Sequence, residues 1–84
     1  MPRHRDRPVC RWTIDLVVGG KPAPDRRHAW PLWMDGRRRA EPVHLGLGEG
    51  VLYRGDRIPH WRRPQPRGRT TAVASLHYGR APAR

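Results

Sequence analysis

Glycine and proline interrupt this chain so often, nine and ten times in 84 residues, that long helices are improbable and short strands joined by many turns are favoured. The apolar supply is equally thin. Leu, Ile, Val and Phe make up about 17% of the residues, below the roughly 20% at which a high net charge begins to signal disorder. Four tryptophans and two tyrosines offset part of this deficit, and the tryptophans are assigned to the core. A chain of this length holds one small domain, residues 1–84, and the expected fold class is all-β.

The formal net charge is +11. Clustered arginine attracts phosphate, so a small basic β-protein that binds nucleic acid is one functional reading, carried by Arg37-Arg38-Arg39. Against it, Arg, Gly, Pro and Ala, all encoded by G/C-rich codons, supply 43 of the 84 residues. Much of the basicity then reads as genomic bias, and the arginine run as a solvated surface. No segment approaches the ~18 apolar residues of a membrane span, and no secretory signal follows the basic start. Cys10 stands alone and can form no internal disulfide. The expected location is the cytoplasm.

From Arg11 to Val18 the residues alternate. Trp12, Ile14, Leu16 and Val18 fall on one face and Thr13, Asp15 and Val17 on the other, the period of a strand. Gly19-Gly20 through Pro24-Asp25 end it. Ala29–Met34 is a short apolar segment that Pro31 assigns to a sheet edge or a bulge, and Asp35-Gly36 predicts a hairpin turn. Val43–Leu47, Val51–Tyr53 and Ile58–Trp61 are further short strands. After the Pro-Gln-Pro loop at 64–66, Arg69–Tyr78 is the last long one.

In an extended segment residues i and i+2 point to the same side, so His4 and Asp6 can converge on one ion; taken alone, the pair also suits a solvated tail. Further along, His60 follows a turn and a proline, and Arg69 opens the final strand. This order, His4-x-Asp6, a distant His60, then a basic residue before the last strand, resembles the signature of the iron(II)- and 2-oxoglutarate-dependent dioxygenases, in their prolyl-hydroxylase-like branch. The segments AWPLWMDG, PVHLGLGEGVLYRGDRIPHWR and GRTTAVASLHY are similar to that family's successive strands and turns. The resemblance runs from His4 to Tyr78.

It implies a double-stranded β-helix, a jelly-roll of the cupin kind. That fold would be incomplete at the N-terminus, the chain corresponding to the C-terminal part of a dioxygenase barrel. It also implies Fe(II) held by His4, Asp6 and His60. Two imidazoles and a carboxylate occupy one face of an octahedral Fe(II) and leave three adjacent positions open. By resemblance, 2-oxoglutarate takes two of these as cosubstrate and O₂ the third, for oxidation of a substrate C–H bond. The remote carboxylate of 2-oxoglutarate needs a cation, and Arg69 is assigned that role. Strand parity puts Thr71, Ser75 and His77 on the face of Arg69. If Arg69 points inward, Thr71 and Ser75 line the same pocket.

Overall fold

The computed structural model describes residues 2–7 and 11–79; Cys10 lies outside them. Among the described residues six strands follow in order: β1 (Trp12–Lys21), β2 (Leu32–Asp35), β3 (Ala40–Val43), β4 (Gly50–Tyr53), β5 (His60–Trp61) and β6 (Thr70–Tyr78). A single 3₁₀ turn, Arg26–His28, is the one helical element among the described residues. The all-β expectation holds. The strands form two antiparallel sheets of three, ordered β4-β1-β6 and β3-β2-β5. Among the described residues no helix is long and apolar enough to cross a membrane.

The two longest Gly- and Pro-free runs of the sequence become most of the two long strands, but β1 does not end at Gly19-Gly20 as expected: both glycines pair with β6 and the strand runs on to Lys21. β1 and β6 pair from Trp12↔Tyr78 to Lys21↔Thr70, with the register shifting between Val17 and Gly19. An extra residue in one strand bends it and sharpens its twist. The Asp35-Gly36 turn also forms, closed by a hydrogen bond from Gly36 N to the carbonyl of Arg39 at 2.9 Å.

Two further local expectations are corrected. β2 is the central strand of its sheet and not an edge, because Pro31 stands just before it and removes no ladder bond. No strand forms over Val43–Leu47: β3 ends at Val43. The residues beyond it bond elsewhere, Leu47 N to Pro24 O at 2.8 Å and Gly48 N to Val17 O at 2.9 Å. Gly48 takes a φ of +81°, a left-handed conformation that ends extended pairing.

The interior holds few apolar side chains. Among the described residues Val17, Leu32 and Tyr53 are the buried hydrophobic ones, while Thr13, Asp15, His60 and Arg62 are buried polar ones. Alternation along β1 explains this, since its inner face is the polar one, Thr13, Asp15 and Val17. The apolar face points outward, where the register aligns Leu52, Ile14 and Leu76 across three strands. Trp12 is 42% exposed there, so this tryptophan is not core. Trp30, Trp33 and Trp61 are half-buried. Trp33 stacks on Trp61 at 6.3 Å, and the Arg63 guanidinium lies 4.7 Å from the Trp33 ring centre.

Candidate metal centre

The N-terminal segment is tied to the edge of β5. His4 N donates to His60 O at 3.0 Å and His60 N returns a bond to His4 O at 2.8 Å, while Asp6 N donates to Gly55 O at 2.7 Å. These three backbone bonds set His4, Asp6 and His60 side by side. Gly55 is what lets the carboxylate in: a Cβ there would lie 2.0 Å from Asp6 Oδ2 and 2.5 Å from Thr13 Oγ1.

One ligand atom from each of His4, Asp6 and His60 lies within 4.8 Å of the others. His60 Nε2 is 3.3 Å and His4 Nε2 is 3.7 Å from Asp6 Oδ1. Adjacent ligands of an ion bound at roughly 2.1 Å sit about 3 Å apart, so small side-chain adjustments suffice to close the set.

Both imidazoles are oriented for this. His4 Nδ1 lies 2.8 Å from Pro2 O and His60 Nδ1 lies 2.8 Å from Ile58 O. A carbonyl oxygen only accepts, so each Nδ1 carries a proton and each ring turns its Nε2 toward Asp6, the nitrogen that offers a lone pair when a metal is bound. The other oxygen of Asp6 is held separately. Thr13 Oγ1 donates to Asp6 Oδ2 at 2.5 Å and stands 3.1 Å from His77 Nδ1. The single hydroxyl proton goes to Asp6, so His77 Nδ1 donates to Thr13. This chain of donors leaves Oδ1 facing the two imidazoles. Tyr53 closes the inner side, its ring meeting His60 edge-on at 5.0 Å.

Beside the three residues lies a cavity of about 140 Å³ lined by His4, Asp6, Thr13, Asp15, Tyr53, His60, Ser75 and His77. Ser75 therefore stands where β6 parity put it, and His77 with it. Arg69 and Thr71 are not among the lining residues. The register explains why: β6 meets Thr13 at His77 and Asp15 at Ser75, whereas Thr70 pairs with Lys21 at the far end of β1. Six positions separate Arg69 from Ser75, roughly 20 Å of extended chain, too far for its guanidinium to reach a ligand at the metal residues. The Arg37-Arg38-Arg39 run is exposed after the β2 turn, lining with Glu41 a separate depression.

Sequence reasoning missed Tyr53 and Arg62. Parity could have found Arg62, since it follows His60 by two positions and turns inward with it, each 3–4% exposed. Burial lowers the Arg62 pKa, opposed by the nearby Asp15 charge, and Tyr53 is pushed well up, by burial first and then by Asp15 and Asp6. No protein-family model, no curated protein and no solved structure matches this chain.

Proposed function

We propose that the chain is a mononuclear non-haem Fe(II) domain of the oxygenase type, its two facing sheets forming part of a jelly-roll barrel, in a reducing, cytoplasmic setting. The observation that carries this reading is the convergence of His4 Nε2, His60 Nε2 and Asp6 Oδ1, with both Nδ1 atoms committed to backbone carbonyls. Two imidazoles and one carboxylate match the donor set and the open face that Fe(II) needs to oxidise a C–H bond with O₂. Thr13 fixes the carboxylate as a one-oxygen ligand, and the Tyr53 ring shields His60 from water.

The residues fit the metal better than they fit 2-oxoglutarate. The cation proposed for its remote carboxylate, Arg69, lies outside the cavity, and the charged groups lining that cavity include two carboxylates, Asp6 and Asp15. Anaerobic titration with Fe(II), or with Co(II) as a spectroscopic substitute, tests the metal. One site is expected, weakening as pH falls because protons compete for the imidazole nitrogens, and lost in His60→Ala. Unchanged binding in that variant would assign the ion elsewhere and end the reading.

A further inference from the structure

Asp15 is a carboxylate at the centre of a strand and only 5% exposed. Burying such a charge is costly unless it is paired and hydrogen-bonded, and here donors approach from three other segments. Ser75 Oγ of β6 donates to Oδ1 at 2.7 Å, and Tyr53 OH of β4 donates to Oδ2 at 3.2 Å. From the residue after β5, Arg62 Nη2 lies 3.6 Å from Oδ2. Arg62 is itself fixed by a 2.8 Å bond from Nη1 to Trp30 O and by the Trp30 ring, 4.9 Å away. None of these donors belongs to β1, and Arg62 keeps its anchor on Trp30 whatever residue stands at position 15.

Two hydroxyls and a guanidinium aimed at one pair of oxygens make the chemistry of a carboxylate-binding site. Tyr53, Ser75 and Asp15 also line the cavity beside His4, Asp6 and His60. We propose that Tyr53, Ser75 and Arg62 form a carboxylate receptor that Asp15 fills from within the chain, so that the metal-side cavity takes small ligands lacking a second carboxylate. A 2-oxo acid with one carboxylate meets no further charge there, whereas a dicarboxylate brings its free end against Asp15. The receptor stands independently of the metal; the ligand preference rests on the metal reading above.

Asp15→Ala empties the receptor and tests both parts. Without metal, its thermal midpoint is expected to rise saturably with formate or acetate in the roughly millimolar range, but not with chloride or acetamide. Wild type is expected not to respond, and Asp15→Ala/Arg62→Met to lose the response. Should Asp15→Ala be too unstable to purify folded, refolding yield across the same acetate and chloride series gives the same reading. A variant that acetate rescues no better than chloride overturns the receptor, as does equal rescue of the double variant. With Co(II) bound, wild type is expected to show a visible-spectrum change with pyruvate at lower concentration than with 2-oxoglutarate, and Asp15→Ala to reverse that order. The same order in both proteins refutes the preference. Failure to bind Co(II) refutes the metal reading, and the preference with it, while the acetate series still decides the receptor.

Discussion

Asp6 and Asp15 line one cavity and each accepts a hydroxyl hydrogen bond, yet their surroundings differ in what they bring to the carboxylate. Around Asp15 the neighbours are donors, two hydroxyls and a guanidinium. Around Asp6, one oxygen accepts a hydrogen bond from Thr13 while the other faces the Nε2 atoms of two imidazoles whose Nδ1–H groups point away to backbone carbonyls. Those two nitrogens and the carboxylate oxygen need a cation between them, either a metal ion or a proton. The lesson is that burial alone does not distinguish a structural acid from a ligand; the direction of the neighbouring protons does.

The harshest way to break the comparison is Arg62→Met, which leaves Asp15 buried with its hydroxyl partners alone. Removing one member of a buried ion pair costs about 3–5 kcal/mol, so denaturant unfolding is expected to show a loss toward the low end of that range while metal affinity per folded molecule is unchanged. An equal loss of metal binding would mean that the two acids are not separate units. Thr13→Val acts on the other side, removing the donor to Asp6 Oδ2 at nearly constant volume. Losing a hydrogen bond to a ligand typically weakens metal roughly 10–100-fold, and Thr13→Ser should restore it; a titration that places valine and serine variants together denies Thr13 this role.

The smallest effect comes from a carboxylate outside the cavity. Glu49 accepts from Arg26 and from Gly46 N, and these bonds hold its pKa at about 2 against an ordinary 4.5. A depressed carboxylate contributes stability that is present above the ordinary value and lost as pH falls through the folded one. Glu49→Gln should therefore flatten the acid-unfolding curve slightly between those limits. Because Glu49 pairs at the surface, the change should be far smaller than that from Arg62→Met; a comparable change would show that exposure is not what separates these acids.

The sequence makes the long strands legible because β1 and β6 grow from its two longest stretches without a breaker, and alternation holds from Trp12 to Val17 before the register shifts. It also makes the three ligand candidates legible, His4 and Asp6 through their shared parity and His60 through the family resemblance. Which face of β1 turns inward was not legible. Periodicity sorts side chains into two sets without saying which is buried, and here Thr13 and Asp15 go inside because β4, β6 and the residue after β5 supply their donors. Arg69 fails as a cavity residue for a related reason. Parity sorts residues by face alone, but reach along a strand depends on register, and Ser75 rather than Thr70 or Thr71 lies opposite Asp15.

Gly55 adds a consequence for how this centre can vary. Every missense change that one nucleotide can make in a glycine codon adds a Cβ, and at this position any Cβ occupies space already taken by Asp6 Oδ2 and Thr13 Oγ1. The histidines could be exchanged by degrees, through substitutions that keep some affinity for an ion. At residue 55 there is no graded path: mutational drift either leaves the glycine alone or moves the carboxylate in a single step.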